Sequence, residues 1–181
     1  FMATVSDADI VSALKENLES GFRLLMARYR EPVYWHIRRL VVSHDDAQDA
    51  AQETFIRAFR SLGRFKGECS LGAWIYRIAT NEALRAIERR RGGRVSLDDA
   101  DAGAGRLAAD GYVDYSDLEA VKLQNAILSL PTKQQLAFNL RYYDGLEYDE
   151  IAAVTGSTAA SAKANYHVAK EKIIKYMNST I

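Results

Sequence analysis

The sequence is poor in the residues that mark several protein classes. One cysteine, Cys69, among 181 residues excludes an internal disulfide, and no paired cysteines or clustered histidines offer a zinc site. The only prolines are Pro32 and Pro131, and alternating β-branched runs are scarce. No apolar run approaches the ~18 residues of a membrane span, and the first residues lack the hydrophobic stretch of a signal peptide. We therefore predict an all-α, soluble, cytoplasmic protein without membrane insertion.

Catalytic signatures are missing as well. The three histidines, His36, His44 and His167, are scattered along the chain. There is no Gly-rich phosphate loop, no nucleophile elbow and no pair of metal ligands. We predict that the protein is not an enzyme and that it carries neither a metal nor a cofactor.

The charge is balanced overall but unevenly distributed. The chain has 24 Lys and Arg against 24 Asp and Glu, yet residues 1–94 are net +4, residues 95–125 net −5 and residues 126–181 net +1. Gly and Asp are frequent between Gly92 and Tyr115, without a sustained apolar period. We predict two small helical domains, 1–94 and 116–181, joined by a flexible acidic linker, 95–115.

Helical periodicity organises the first block. An apolar pattern from about Ser20 to Val41 includes Pro32, where we expect a kink or a break. A further helix is predicted from Asp45 to about Leu62. Its buried stripe is Ala47, Ala51, Phe55, Phe59 and Leu62. Asp49, Gln52, Glu53, Ile56 and Arg60 project the other way, either as a docking surface for a basic helical partner or as a solvated face.

Residues 64–91 combine a small-residue loop with a basic helix. Arg77, Asn81 and Arg85 are four apart and form a polar row beside the apolar stripe of the helix. The helix ends in Arg89-Arg90-Arg91 before Gly92-Gly93, a cationic last turn with a glycine stop. This composition suits DNA phosphates and unstacked bases, although a core helix with a solvated basic face has the same pattern.

The second block predicts a helix-turn-helix. Thr132 to Gln135 has the pattern of a capping box that opens a helix. A short helix from Glu147 to Thr155, a turn at Gly156 and a longer helix from Thr158 to Met177 then follow. Small residues at the exposed start of the longer helix allow close approach to a major groove, where Lys163 and His167 can reach phosphates or base edges. An ordinary helical hairpin is the alternative.

Taken together, the two blocks resemble the extracytoplasmic-function (ECF) sigma factors, bacterial transcription initiation factors. DAQDAAQETFIRAFRSLGRF looks like the family's polymerase-binding helix and WIYRIATNEA like its −10 helix. LPTKQQLAFNLRYYDGLEYDEIAAVTG followed by SAKANYHVAKEKI is similar to its −35 helix-turn-helix module. The resemblance covers the chain from about Ser20 to Met177. It implies a factor that binds core RNA polymerase and directs it to promoters by reading −10 and −35 elements.

The resemblance also implies roles for particular residues. Asp49, Gln52, Glu53 and Ile56 would dock on the clamp helices of the polymerase largest subunit, and the β-subunit flap is the other part of the core enzyme expected as a partner. The loop Lys66, Gly67, Glu68, Cys69, Ser70 and Leu71, with Asn81, would capture a flipped −10 base. Trp74 and Tyr76 match family aromatic positions, and Arg77, Arg85 and Arg89 would contact phosphates. The −35 element would be read by Ser161, Lys163, Ala164, Asn165, His167 and Lys170.

Two departures from the family pattern bear on which promoter is read. Many relatives have Arg where this chain has Asn165 and Val168, and Cys69 stands in a loop where smaller or more polar residues are common. The resemblance further implies an anti-sigma factor that clamps both modules. The alternative function is a helix-turn-helix transcriptional regulator that acts without being a polymerase subunit.

Overall fold

The computed structural model describes residues 4–92 and 117–179, and every regular element in these ranges is an α-helix, which confirms the all-α prediction. We call 4–92 the first module and 117–179 the second module. The predicted linker, 95–115, lies outside the described residues. The helices are α1 (Asp7–Glu16), α2 (Leu18–Leu40), α3 (His44–Leu62), α4 (Leu71–Arg91), α5 (Leu118–Leu128), α6 (Thr132–Tyr142), α7 (Tyr148–Thr155) and α8 (Ala159–Asn178).

Polar caps define where the helices of the first module begin. The side chains of Ser6, Asn17, Ser43 and Ser70 each accept a hydrogen bond from a backbone N–H in the first turn of the helix that follows. We expected a kink or a break at Pro32; the break does not occur, because α2 runs through Pro32 as one helix. Pro32 is exposed on α2, so its ring meets solvent rather than the core.

The long helix α4 is the centre of the first module. It packs against α2 and α3, and its buried residues include Ile75, Ala79 and Ala83. The predicted stop is confirmed: Gly92 has φ +66°, a left-handed conformation that a residue without Cβ adopts at no steric cost. Three arginines in the last turn face the negative end of the helix dipole. This group of arginines therefore lies at the C-terminal end of α4, opposite the loop that precedes the helix.

The second module is a small bundle in which α8 packs against α5, α6 and α7. Phe138 stacks on Tyr166 with ring centroids 6.0 Å apart. The capping box predicted at Thr132 is wrong, because Pro131 is the N-cap and no side chain caps α6. The capping box of this module is at α7, where Glu147 and Glu150 satisfy each other's backbone N–H groups. Gly156, at φ +68°, makes the turn between α7 and α8.

The two modules pack against each other along α4 and α7. Leu136, Leu140 and Ile151 of the second module belong to the same apolar cluster as the core of the first. This contact places the turn between α6 and α7 beside the N-terminal half of α4. Within the two described ranges, no helix has the length and apolar character to cross a membrane.

Candidate nucleic-acid and polymerase interface

The exposed face of α3 carries the residues predicted to bind polymerase. Asp49 and Gln52 are exposed, and Ile56 is 39% exposed although it is apolar. Glu53 is half-buried and pairs with Arg57 at 3.1 Å. The prediction that Phe59 is buried is wrong: its side chain is 45% exposed and packs edge-on against Phe22, with centroids 5.1 Å apart.

Phe59 therefore adds to the apolar part of this face. It lies three residues after Ile56, so both side chains project from the same side of α3. The helical spacing predicted Phe59 to be buried because an aromatic residue at that spacing is compatible with a buried stripe and with an exposed face alike. Acidic side chains around an exposed apolar pair are typical of a protein-binding surface.

The loop before α4 is anchored at both ends. Phe65 packs against Trp74, with ring centroids 5.5 Å apart, and the Ser70 hydroxyl caps α4 by accepting a hydrogen bond from Ala73 N at 3.1 Å. Lys66, Gly67 and Glu68 are exposed, whereas Leu71 is buried at the start of the helix. Cys69 is half-buried, and this burial raises the pKa of its thiol. The loop thus presents its middle to solvent on a fixed base.

The predicted DNA-binding residues of α4 separate into two groups. Arg77, Asn81, Arg85 and Arg89 are exposed along one face. Tyr76 is buried, and Trp74 is half-buried against Phe65. Burial, together with a nearby carboxylate, raises the pKa of the Tyr76 hydroxyl, which therefore acts as a hydrogen-bond donor at neutral pH.

Asn81 faces a basic cleft between α3 and α4. The cleft has a volume of about 340 Å³ and is lined by Arg57, Arg60, Ser61, Arg64, Ile78, Asn81, Glu82 and Arg85. Asn81 lies eleven residues along the helix from Ser70, about 16 Å by the rise of an α-helix. Asn81 shares this cleft with Arg57 and Arg60 of α3 and with Arg64 just after it, whereas Ser70 does not line it.

The sequence pattern assigned neither Arg57 nor Arg64 to a DNA surface, and it placed Arg60 on the docking face of α3, whereas Arg60 lines the cleft. Arg57 and Arg60 lie on the side of α3 that faces α4, and Arg64 follows in the turn after the helix; their spacing of three and four residues was the available signal. Guanidinium groups match phosphate oxygens in geometry as well as in charge. Since Asn81 adds an amide that can both donate and accept hydrogen bonds, the cleft can hold a phosphate and a base edge side by side.

Glu82 organises the cleft from beneath. Glu82 is 2% exposed, and its Oε1 lies 2.8 Å from Nε of Arg57. The same oxygen accepts a short hydrogen bond from Arg85. A buried carboxylate needs such partners, and it fixes the two half-exposed guanidinium groups in return. Glu82 thereby holds one arginine of each helix at the mouth of the cleft.

The helix-turn-helix presents α8 to solvent. The Thr158 side chain caps α8, and Lys163, Ala164, His167 and Lys170 are exposed along it. Ser161 and Asn165 are half-buried, with Asn165 Nδ2 donating to Ser161 Oγ at 3.5 Å. Two small residues, Ala160 and Ala164, leave the exposed N-terminal turns of α8 free of bulky side chains. This geometry suits insertion of α8 into a major groove.

Buried ionisable groups lie where α2, α4 and the second module meet. Burial, reinforced by Arg39, lowers the pKa of His36 to about 3. Burial raises the pKa of Asp144 to about 6, against the opposing effects of the Tyr76 hydrogen bond and of Arg39. Among residues 4–92 and 117–179, no group of three His, Cys, Asp or Glu side chains could hold a metal ion.

Two family models match the chain, each on one module. The model for sigma-70 region 2 matches residues 25–92, and the model for sigma-70 region 4 matches residues 120–173. Curated relatives match over nearly the whole length. The RNA polymerase sigma-H factor of Pseudomonas aeruginosa is 31% identical over 181 residues, covering 93% of this chain and 92% of that protein. The ECF RNA polymerase sigma-E factor of Escherichia coli K12 is 32% identical over 179 residues, covering 93% of each.

Solved structures share the fold at lower identity. CnrH, solved in complex with the cytosolic domain of CnrY, has a TM-score of 0.70 at 20% identity, covering 96% of this chain and 97% of that chain. RpoE from Bartonella quintana, solved with the anti-sigma factor NepR, has a TM-score of 0.70 at 22% identity, covering 88% of this chain and 98% of that chain.

Proposed function

The chain belongs to the ECF sigma factors of bacterial RNA polymerase, promoter-specificity subunits that bind core enzyme and promoter DNA, and we propose which of its surfaces perform each step. The proposed modules are 1–94 for core binding and the −10 element, 95–115 as the connection, and 116–181 for the −35 element. The assignment of DNA binding to the first module rests on one observation, which is that Asn81 and four arginines line the same cleft.

Core binding is assigned to the exposed face of α3. Asp49, Gln52 and Glu53 supply polar and acidic contacts, and Ile56 with Phe59 supplies the apolar centre. A surface of this kind complements a basic helical partner such as the clamp helices of the largest polymerase subunit. The second module is proposed to contact the β-subunit flap.

The −10 element is assigned to the loop before α4 and to the cleft between α3 and α4. Arg57, Arg60, Arg64 and Arg85 would hold the phosphates of the non-template strand, while Asn81 would bond to the edge of a flipped base. Flipping costs a few kcal/mol, which edge hydrogen bonds and stacking must offset. The chain's own chemistry here is binding and orientation, and we propose no catalytic role.

The −35 element is assigned to α8. Lys163 and Lys170 are exposed cations that can reach phosphates, and His167 can reach a base edge. We also propose control by an anti-sigma factor, because two proteins of the same fold were solved with partners, one of them named an anti-sigma factor. Such a partner would compete for the polymerase-binding face of α3.

The experiment is copurification with core polymerase followed by promoter-directed transcription. We expect wild-type protein to bind core and to start transcripts at a defined promoter. Asp49→Arg should lose core binding through charge reversal, whereas Glu31→Arg, the same charge change at an exposed site on α2, should retain it. Equal core binding by the two variants would remove α3 as the docking surface. Transcription without wild-type protein, or none with it, would contradict the function itself.

A further inference from the structure

A buried carboxylate lies in the wall of the cleft between α3 and α4. Glu82 is the only buried glutamate in residues 4–92 and 117–179, whereas the side chains of its partners, Arg57 and Arg85, are 47% and 49% exposed. A buried ion pair adds little net stability, because the cost of removing the charges from water offsets their attraction, and apolar residues of similar volume often serve as well. Stability alone therefore does not explain a carboxylate at this position.

Four charged side chains are linked in a row across the two helices. Arg57 Nε lies 3.1 Å from Glu53 Oε1 on its own helix and 2.8 Å from Glu82 Oε1 on α4. The same oxygen of Glu82 accepts the short hydrogen bond from Arg85. We call Glu53, Arg57, Glu82 and Arg85 the ionic chain. Because it contains two carboxylates and two guanidinium groups, the ionic chain has no net charge.

The other two arginines of the cleft lie outside the ionic chain. Arg60 and Arg64 line the cleft and are exposed. Within residues 4–92 and 117–179, neither of them is paired with a carboxylate. The cleft therefore contains two arginines whose charge is neutralised and two whose charge is free, and Asn81 lines it together with both pairs.

The neutralised arginines still have hydrogen-bond donors to offer. A guanidinium group has five N–H donors in one fixed plane, and the ionic chain uses Nε of Arg57 and NH1 of Arg85. The remaining donors can bond to a ligand in the cleft. Directional donors that are held in place distinguish one base edge from another, whereas a free positive charge attracts any phosphate.

We propose that Glu82 is a positioning residue that sets the base specificity of the −10 cleft. By neutralising and fixing Arg57 and Arg85, it makes these two arginines contribute to the choice of base, while Arg60 and Arg64 attract the phosphates. Glu82 acts through the two arginines and does not itself contact DNA. The proposal rests on the proposed −10 function of the cleft and refines the roles of its four arginines.

The first variant is Glu82→Gln, which keeps the size of the side chain and removes its charge. Base discrimination should fall, because Arg57 and Arg85 are no longer fixed. General attraction for single-stranded DNA should rise, because the cleft gains one positive charge. The matched control is Glu88→Gln, the same charge change at an exposed position on α4 that does not line the cleft. A packing defect would lower both kinds of binding, so the opposite signs identify the positioning role.

Selection by the holoenzyme measures base discrimination. Each variant is assembled with core polymerase and selects from a pool of single-stranded DNA with a randomised centre. We expect wild type and Glu88→Gln to enrich the preferred base at the flipped position about tenfold, as one good base contact allows, and Glu82→Gln to enrich it less than about threefold. Binding to oligothymidylate should be tighter for Glu82→Gln than for Glu88→Gln, with a salt slope steeper by about 0.7, the value for one additional phosphate contact on a single strand.

The outcomes separate the proposal from the function on which it rests. Equal enrichment by Glu82→Gln and wild type would overturn the role of Glu82 and leave the −10 site in place. A parallel loss of enrichment and of oligothymidylate binding would assign Glu82 to packing and would also overturn that role. If the wild-type holoenzyme enriches no sequence from the pool, the proposed −10 site is itself refuted.

A second variant tests the same role without changing a buried residue. Arg85→Lys keeps the positive charge at an exposed position but replaces the planar donors with a point charge. It should lose enrichment as Glu82→Gln does, and the double variant should lose little more, because both changes remove the same fixed donors. The control is Arg23→Lys, an exposed arginine on α2. Full enrichment by Arg85→Lys, or additive losses in the double variant, would contradict the proposal.

Discussion

Acid stability of the folded chain should depend on two buried groups that act in opposite directions. His36 is fully buried on α2, with Nε2 2.8 Å from Thr80 Oγ1. Its pKa is lowered from 6.5 to about 3, because the folded state favours the neutral imidazole. The contribution of His36 to the free energy of unfolding is therefore fully present above pH 6.5 and is lost as the pH falls towards 3. At about pH 5 this loss amounts to about 2 kcal/mol.

Asp144 compensates part of this loss. Its pKa is raised from 3.8 to about 6, so the folded state favours the protonated carboxyl. Its contribution is fully present below 3.8 and is lost as the pH rises through 6. Acidification from about pH 7.5 to about pH 5 therefore returns about 1.4 kcal/mol. The groups facing it are Tyr76 on α4, and His36 and Arg39 on α2.

The prediction concerns differences between variants, in which the other titrating groups cancel. On acidification from about pH 7.5 to about pH 5, Asp144→Asn should lose about 1.4 kcal/mol more free energy of unfolding than wild type, because it lacks the carboxyl group that takes up a proton in the folded state. His36→Gln, which keeps a polar partner for Thr80, should gain stability on acidification relative to wild type. Urea unfolding followed by the fluorescence of Trp35 and Trp74 measures both.

The control is Asp149→Asn, which removes an exposed carboxylate from α7. It should keep the pH dependence of wild type. If Asp144→Asn also keeps it, then Asp144 is solvated in the native state, and the enclosure of its carboxylate by α2 and α4 is refuted.

Further predictions test the proposed DNA surfaces. Asn81→Ala should reduce strand opening at the promoter more than initial binding, since the base that Asn81 contacts is exposed only after it has flipped. Permanganate footprinting reports strand opening, and equal opening by the variant and wild type would contradict the prediction. Arg60→Ala should lower the salt dependence of strand binding by about one phosphate contact, whereas Arg23→Ala, an exposed arginine on α2, should not. Lys163→Ala should weaken binding to all −35 sequences alike, because a phosphate contact carries no sequence information. His167→Ala should instead change the −35 sequence that is preferred in a selection from randomised sites. An unchanged preference would assign His167 to packing.

Much of the fold could be predicted because local rules govern it. The start of α4 at a serine cap and its stop at Gly92 follow from capping and from glycine's access to positive φ. The turn at Gly156 follows in the same way. The errors came where tertiary context decides. Pro32 is accommodated on the exposed side of α2, and Phe59 meets Phe22 on the surface instead of entering the core.

The candidate site was predictable in part for a similar reason. The polar row with Asn81 could be found by its four-residue spacing within one helix. The partners of Asn81 could not, because Arg57 and Arg60 belong to α3 and Arg64 to the turn after it, and only packing of α3 on α4 brings them together. The burial of Tyr76 by Asp144 depends on two residues 68 positions apart, for which a single sequence contains no local signal.

Ser70 and Glu150, which are hydrogen-bonded to each other across the two modules, also cap the helices on which they lie. Ser70 Oγ caps α4 by accepting from Ala73 N, and separately donates to Glu150. Glu150 uses Oε1 for the capping box with Glu147 N and Oε2 for Ser70. Separation of the modules would therefore break the cross-module hydrogen bonds while both helix caps persist.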